Sequence, residues 1–327
     1  MSGAAAARAA APPRPLMVWA ALVTVYLVWG STYLAIRVVV ETAPPLLSMG
    51  ARFFLAGVLL AAVLLVRRGR GALRVRGREL RGAAIVGVLL LLGGNGGVAL
   101  AEQTVPSGIT ALMIAATPLW LVCLRTAAGD RPQLLSLVGT MVGFLGIAVL
   151  VRPGAGLGQD IQTWGLVTLI GAAASWAFGS FLASRLTMPE DAFVTTTWEM
   201  ILGGLALGLV GVSAGELEGF KPTDVAGAAW AWLGYLVVIG SLLAFSAYVW
   251  LLQHAPISLT ATYAYVNPVV AVLLGAIVLA EPVTSVVLLG GAVVVLGVGL
   301  VVNAERPRRQ SGREPEPVAP EVVDLPR

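Results

Sequence analysis

Apolar runs of about 20 residues recur along the whole sequence, separated by short polar segments. An α-helix of about 20 residues is long enough to cross the ~30 Å hydrocarbon core of a bilayer. Only 12% of the residues are charged, against about 25% in soluble domains. The pattern predicts an all-α polytopic membrane protein with ten transmembrane helices, and it excludes a soluble globule, a disordered chain and a nucleic-acid-binding protein. The predicted spans are 16–36, 46–66, 80–101, 107–127, 132–152, 163–185, 192–213, 226–250, 258–280 and 283–303.

The distribution of arginine predicts how the chain is oriented. Seven arginines lie between residues 67 and 81, after the second span, whereas the loop after the seventh span carries acidic residues and one lysine. With the N-terminus in the cytoplasm, 17 of the 21 Lys and Arg residues fall in cytoplasmic segments and 3 outside, as the positive-inside rule requires. We therefore expect both termini in the cytoplasm. We also expect two disordered tails, a basic one at residues 1–15 and a cytoplasmic one at 304–327.

The two halves of the sequence resemble each other. An offset of 150 residues pairs Pro118 with Pro268, and farther upstream an offset of 147 pairs Trp29 with Trp176. Each half contains five predicted spans, and because five is odd, the second copy must enter the membrane from the opposite face. Such inverted repeats are typical of secondary transporters that expose one site alternately to each side. The predicted five-helix repeats are residues 16–152 and 163–303.

Six short motifs lie within residues 16–303. They are Trp29-Gly-Ser-Thr-Tyr-Leu-Ala-Ile-Arg37, Pro44-Pro45, Arg52-Phe53-Phe54, Gly94-Asn95-Gly96, Val105-Pro106-Ser107-Gly108 and Tyr263-Ala-Tyr-Val-Asn-Pro-Val-Val270. Together they resemble EamA-type transporters of the drug/metabolite transporter superfamily and, among these, the YedA-like exporters. The resemblance implies a bacterial inner-membrane protein with ten helices in two inverted repeats. It also implies export of small metabolites, since members are associated with amino acids, their derivatives and toxic organic compounds.

Two ionisable residues lie well inside predicted spans, Arg52 in the second and Glu199 in the seventh. A charge at the centre of a membrane helix costs roughly 2.5–3.5 kcal/mol on insertion scales, so each needs a reason. Glu199 is a candidate for proton coupling or cation recognition, or for a structural pairing with a hydroxyl group or Arg52. Arg52 is a candidate substrate contact, or it holds backbone carbonyls or reaches outward. Glu102, at the outer end of the third span, is expected to be interfacial.

Two prolines are expected near mid-membrane, Pro118 in the fourth span and Pro268 in the ninth. Proline removes a backbone donor and interrupts a helix, and symmetric interruptions at mid-depth indicate a substrate site in an inverted-repeat carrier. A simple packing kink is the alternative. Asn267 beside the second proline is a candidate cavity residue. Asn95 is a further candidate for the substrate or coupling site, and it lies in a glycine run that favours close helix packing.

Aromatic residues form a further candidate group. Their rings could stack on an apolar substrate or on an organic cation, and helix packing is the alternative for any one of them. The candidates are Trp29, Tyr33, Trp176, Tyr263 and Tyr265.

These observations favour a secondary transporter that exports small organic metabolites or drugs by alternating access, with protons as the candidate coupling ion. An uncoupled facilitator or exchanger and a membrane scaffold remain as alternatives. An intramembrane enzyme is disfavoured, because the predicted spans contain no Ser/His, His-Glu-x-x-His or paired-Asp arrangement. We expect no catalytic residue, cofactor or metal. The expected partners are a small-molecule substrate, the lipid bilayer and protons, with a complete pathway in one monomer.

Overall fold

The structure is a computed structural model that describes residues 15–152, 161–255, 257–260 and 262–304. The described chain forms helices and no strand. The predicted tails lie outside the described residues, except that Pro15 begins the first helix and Ala304 ends the last. The helices are α1 Pro15–Val40, α2 Pro45–Arg68, α3 Gly77–Ala101, α4 Ser107–Ala127, α5 Leu134–Val151, α6 Thr163–Ala183, α7 Ala192–Ser213, α8 Gly227–Leu251 with its helical extension to His254, α9 Tyr263–Leu279 and α10 Ser285–Ala304.

Nine of these helices in the described chain are long and apolar enough to cross a membrane. The exception is α9, an apolar helix of 17 residues that replaces the predicted span 258–280. A separate short helix, Ile257–Thr260, precedes it. The ninth predicted span is therefore divided near its start, ahead of Pro268 rather than at it.

Two helices contain π-helical segments, Val88–Gly96 in α3 and Leu236–Leu243 in α8. When the two repeats are aligned with the offset of 150 residues, these segments largely coincide. Both repeats therefore contain the π-helical irregularity. Polar side chains satisfy displaced carbonyls within them. Asn95 Nδ2 donates to Leu90 O at 3.4 Å, and Ser241 Oγ donates to Leu236 O at 2.9 Å. Such π-helical turns are rare and are frequently found at functional sites.

Helix α2 packs antiparallel to its repeat mate α7. A Cβ placed on Gly50 would lie 2.8 Å from Gly208 N, and one placed on Gly57 would lie 2.9 Å from Ile201 N. Along this contact the residue numbers of α7 fall as those of α2 rise, so the two helices run in opposite directions. Only glycine allows backbones to approach this closely.

The same relationship holds for α5 and its mate α10. A Cβ on Gly139 would lie 2.9 Å from Gly297 O, and one on Gly146 would lie 2.9 Å from Gly290 O. The glycines at fixed spacing are therefore packing seams between the two repeats of one chain. The repeats cross the bundle in opposite directions along both seams.

The two ends of the bundle differ in charge. We call the end where α2, α4 and α6 finish the arginine-rich end, and the opposite end the glutamate-rich end. At the glutamate-rich end, Glu216 accepts the backbone N–H groups of Leu46 and Leu47 at 3.1 and 2.8 Å. A carboxylate at this position satisfies orphan donors of the first turn of α2 and suits the helix dipole.

A second carboxylate holds the neighbouring helix at the same end. Glu281, between α9 and α10, accepts from Ser107 N at 2.8 Å, Gly108 N at 3.1 Å and Ser107 Oγ at 3.0 Å. At the arginine-rich end, Asp191 caps α7 through Phe193 N and Val194 N and bonds Arg68. Carboxylates therefore connect the repeats at both ends.

The perimeter of the bundle carries exposed apolar side chains. Met141, Leu209 and Ile277 expose more than two thirds of their surface. A soluble protein rarely leaves so many large apolar side chains uncovered, whereas a membrane protein presents them to lipid. The polar side chains described next lie inside the bundle instead.

Candidate substrate cavity

A cavity of about 360 Å³ lies between the helices of the two repeats. Its volume falls within the ~300–1,000 Å³ of small-molecule sites. It is lined mainly by apolar and aromatic groups with a few convergent polar ones. The polar and charged lining residues are Thr32, Arg52, Asn95, Thr117, Ser180, Thr196, Glu199, Ser241 and Asn267.

Most lining residues are paired by the internal repeat. The offset of 147 residues that relates Arg52 to Glu199 also relates Tyr33 to Ser180. All four residues line the cavity. In α3 and α8 the offset of 150 joins further lining residues. These pairs are Leu90 with Gly240, Leu91 with Ser241, Asn95 with Phe245, and Val98 with Tyr248. Equivalent surfaces of the two repeats therefore form one shared cavity.

The cavity brings together nearly all of the residues singled out from the sequence. The exception is Tyr265, which is part-buried and does not belong to the lining. Those that line it are Trp29, Tyr33, Arg52, Asn95, Pro118, Trp176, Glu199, Tyr263, Asn267 and Pro268. The structure thus places them in one space, and their part in transport is taken up below.

Arg52 is 95% buried, and its guanidinium is held from two sides. Nε donates to Ser241 Oγ at 3.1 Å, and the ring of Phe53 lies 4.5 Å below Cζ. The Met49 sulfur lies 3.8 Å from Nη1. No carboxylate among the described residues forms an ion pair with Arg52, and Glu199 is not its partner. The guanidinium therefore retains unused donors beside the cavity.

Glu199 lies one helical turn beyond Thr196 on α7, and both side chains line the cavity. Within the described chain, no side chain or backbone group hydrogen-bonds to its carboxylate. The backbone of Glu199 is packed closely, because a Cβ on Gly87 would lie 2.6 Å from Glu199 O. Helix α3 therefore fixes the position of this part of α7 while the carboxylate stays available to a ligand or a proton.

Four aromatic rings form a cluster on one wall. The centroid of the Trp29 ring lies 5.0 Å from that of Tyr248, 5.2 Å from Tyr263 and 6.4 Å from Phe245. Rings at these separations and tilted angles attract one another through their edges and faces. All four line the cavity, which gives it one aromatic wall.

Trp176, the repeat mate of Trp29, has a different environment. A Cβ on Gly94 would lie 2.6 Å from Trp176 Cε3, so the indole packs on the glycine run of α3. Residues Asn95 and Val98 stand where α8 has aromatic rings. The cavity is therefore symmetric in shape and asymmetric in chemistry.

The proline sites also differ between the repeats. In α4, the helix ends at Ile114 and resumes at Thr117, so Pro118 falls in a first turn where its missing N–H costs nothing. Pro268 lies inside α9. Asn267 beside it is 7% exposed, and its amide nitrogen donates to Tyr263 O and Tyr26 O at 3.3 Å each in the orientation that satisfies both carbonyls.

Glu102 departs from its expected interfacial position, because it is completely buried. The end of α1 covers it, and Arg37 Nη1 donates to its backbone oxygen. Its neighbour Gln103 is exposed, as expected at a helix end. Because a contact between distant parts of the chain buries Glu102, the sequence around it at the end of α3 does not predict its burial.

Comparison with known proteins identifies the family. The EamA-like transporter family matches the chain twice, at residues 16–152 and 163–303. The chain is 39% identical to the uncharacterized inner membrane transporter YedA of Escherichia coli strain K12, over 88% of this chain and 90% of YedA. It is 22% identical to the uncharacterized transporter YoaV of Bacillus subtilis strain 168, over 85% of this chain and 94% of YoaV.

A solved crystal structure shares the fold. It superposes with a TM-score of 0.58 over 88% of this chain and 96% of the other, at 18% sequence identity. At this identity the likeness concerns the fold alone. Together with the two family matches and the nine apolar helices in the described chain, these comparisons confirm the resemblance drawn from the motifs. The chain belongs to the EamA-like transporter family and is a multi-pass transporter of the bacterial inner membrane.

Proposed function

We propose that the protein is a secondary transporter that exports small organic metabolites, amino acids or related compounds, or drugs, by alternating access. In this proposal the substrate binds in the cavity between the repeats, and Glu199 couples its movement to protons. The observation that carries the proposal is the pairing of the cavity lining by the internal repeat. A site built from equivalent surfaces of two antiparallel repeats has the geometry that alternating access needs.

The charges in the cavity support a substrate with both an acidic and a basic group. Arg52 and Glu199 come from repeat-related positions of α2 and α7, and neither is neutralised by the other. Guanidinium groups bind carboxylates well, and a carboxylate binds an ammonium group. The aromatic wall around Trp29 suits an apolar or aromatic side chain.

The free carboxylate of Glu199 supports proton coupling. A carboxylate that faces an internal cavity without a partner is stabilised by binding either a proton or a cationic ligand. Competition between the two for one group would link their movements. Ser241 and Arg52 would contribute to substrate recognition rather than to this exchange.

The proposed topology has ten membrane-crossing segments, with α9 and the short helix before it forming the ninth, and with both termini in the cytoplasm. The arginine-rich end then faces the cytoplasm. This assignment rests on the positive-inside rule. Both repeats lie in one chain, so one monomer would contain a complete pathway.

Uptake into proteoliposomes tests the proposal. The purified protein is reconstituted, a pH gradient is imposed, and radiolabelled amino acids and cationic dyes are offered as probes. We expect at least one probe to accumulate with the gradient, and Glu199→Gln to reduce that gradient-driven accumulation at least about tenfold. Glu218→Gln, at the exposed glutamate-rich end, is the matched control.

Three results would contradict parts of the proposal. Transport of no probe by the wild type would favour a scaffold. Transport that ignores the gradient would indicate an uncoupled facilitator or exchanger. Undiminished gradient-driven accumulation by a folded Glu199→Gln protein would remove Glu199 from the coupling mechanism.

A further inference from the structure

We propose that Glu102 is a second proton-binding site, and that binding of a proton there closes the glutamate-rich end of the bundle. This inference deepens the proposed transport function by naming a group that links proton binding to one gate. The site lies at the end of α3 and is distinct from the carboxylate of Glu199 in the cavity.

The burial of Glu102 carries the inference. The residue is 0% exposed, and neither oxygen of its carboxyl group has a hydrogen-bond partner within the described chain. An ionised carboxylate removed from water without donors is strongly unfavourable. The neutral acid avoids most of this cost. The conformation described, in which Glu102 has no exposed surface, therefore favours the form that holds a proton.

Among the described residues, four charged or titratable groups lie close enough to act on Glu102. They are Tyr33 and Arg37 from α1, Arg52 from α2, and Glu281 from the connection between α9 and α10. Helix α6 also packs here, where a Cβ on Gly165 would lie 2.8 Å from Thr104 Oγ1, and it contains no titratable residue. Burial and Glu281 disfavour an ionised carboxyl group, whereas the two arginines favour it.

The charged neighbours are already engaged with other partners. Arg37 donates to the backbone oxygen of Glu102 and lies 3.8 Å from Glu41. Arg52 donates to Ser241, and Glu281 accepts three hydrogen bonds from the start of α4. None of them donates to the carboxyl group of Glu102. Its ionised form would therefore be charged, buried and without a donor.

The internal repeat indicates that the fold itself does not need a carboxyl group here. The offset of 150 residues that aligns α3 with α8 places Leu252 opposite Glu102. An apolar residue occupies the matching position of the second repeat. The carboxyl group is a feature of the first repeat alone, at one end of the bundle.

Opening of the glutamate-rich end would admit water to Glu102 and allow it to ionise. One proton is then released to the water at that end, and one is taken up again on closing. Low pH favours the closed form and rising pH favours the open form. A single linked proton changes the ratio of open to closed protein by up to about tenfold per pH unit.

Thiol labelling of the reconstituted full-length protein tests this link without any substrate. The native cysteine is removed by Cys123→Ser, and Thr110→Cys introduces a reporter in α4, where Thr110 is fully buried at the same end. A membrane-impermeant thiol reagent is applied from the glutamate-rich side across a pH series. Gln103→Cys, on the exposed surface of that end, corrects for the intrinsic pH dependence of the reagent.

We expect the corrected labelling rate of Thr110→Cys to rise with pH, by up to about tenfold per unit over the transition. Glu102→Gln and Glu102→Leu, which keep the site neutral, should hold the rate low at every pH. Glu218→Gln, an exposed glutamate of the same end, should leave the rise unchanged. These readouts involve no transport, so their failure is separate from failure of the proposed export function.

Two outcomes would overturn the proposal. One is a pH-dependent rise that persists in Glu102→Gln. The other is failure of both Glu102→Gln and Glu102→Leu to fold, because that would mean that the site requires the ionised carboxylate.

Discussion

Arg52 Nε donates to Ser241 Oγ at 3.1 Å, and this hydrogen bond joins the buried cation of α2 to the π-helical segment of α8. The two residues come from different repeats, and both line the cavity. Ser241 also donates to Leu236 O at 2.9 Å. The hydroxyl therefore aims the guanidinium and at the same time satisfies a carbonyl of the π-helical turn.

Removal of the Ser241 hydroxyl should leave the Arg52 guanidinium without this acceptor and Leu236 O without this donor. We expect Ser241→Ala to destabilise the protein by about 1–2 kcal/mol, because it leaves a buried charged donor without its acceptor. The melting temperature in detergent measures the effect. Ser241→Thr keeps the hydroxyl and should lose less, so equal loss in both variants would point to packing instead of the hydrogen bond.

The glycine seam between α5 and α10 should tolerate no added methyl group. A Cβ on Gly146 would lie 2.6 Å from Val294 N, so Gly146→Ala must separate the helices at a cost of about 1–3 kcal/mol. Thermal unfolding measures this loss. Gly299→Ala, in α10 with no atom within 4 Å of its added Cβ, is the control and should be neutral or slightly stabilising through helix propensity.

Loss of the carboxylate that caps α2 should loosen the glutamate-rich end. Glu216→Ala removes the acceptor of Leu46 N and Leu47 N and should cost about 0.5–2 kcal/mol, as loss of helix caps does. Denaturation in detergent with Glu218→Ala as the neighbouring control checks the claim. Equal stability of the two variants would show that water replaces the cap without cost.

Acidification should weaken the cap of α7 through Asp191. Partial burial raises the pKa of this carboxyl group, but hydrogen bonds from Arg68, Val194 N and Phe193 N outweigh it and hold the pKa below its ordinary value. A depressed native pKa adds stability that is present above the unfolded pKa of about 3.9 and is lost as the pH falls through the native pKa.

The expected effect at Asp191 is small, because the side chain is 40% exposed and water screens its pair with Arg68. Melting temperatures of the wild type between about pH 5 and pH 3 should fall more steeply than those of Asp191→Asn. Parallel curves for the two proteins would contradict this contribution.

Much of the candidate site was predictable because the repeat fixes it. The offset of 147 residues relates Arg52 to Glu199 in sequence, and the antiparallel packing of α2 and α7 sets both at the cavity. Burial of a charge in a membrane is costly, and this cost identified both residues as candidates for the site. The sequence alone therefore predicted cavity positions where the repeat symmetry and the free-energy cost of a buried charge indicated the same residue.

The aromatic wall was only half predictable. Phe245 and Tyr248 complete the cluster around Trp29, but their repeat mates are Asn95 and Val98, so symmetry indicated no ring at either position. The spacing of the two rings, three residues apart in an apolar helix, equally suits lipid contact. Both rings follow the π-helical segment Leu236–Leu243 in the chain.

Glu102 illustrates a second limit. A glutamate at the end of an apolar run normally faces the interface, and nothing local distinguishes this one. Its burial depends on α1 and on the connection before α10, which are distant in sequence. Tyr265 shows the converse, because its place in a motif suggested the cavity, yet it lies outside the lining.

In the proposed function, one cavity shared by the two repeats opens alternately to the two sides of the membrane. Ile114 and Ala264 are repeat mates that both line it. The most direct measurement is therefore the labelling of Ile114→Cys and Ala264→Cys, each in a Cys123→Ser background, by an impermeant thiol reagent added to right-side-out or inside-out vesicles. A disulfide between Thr42→Cys and Ala226→Cys, where Ala226 N lies 3.2 Å from Thr42 Oγ1, locks the glutamate-rich end.

We expect both cysteines to react from either side, and the disulfide to abolish labelling from the glutamate-rich side only. Labelling from one side alone, or labelling from both sides that the disulfide leaves unchanged, would contradict it.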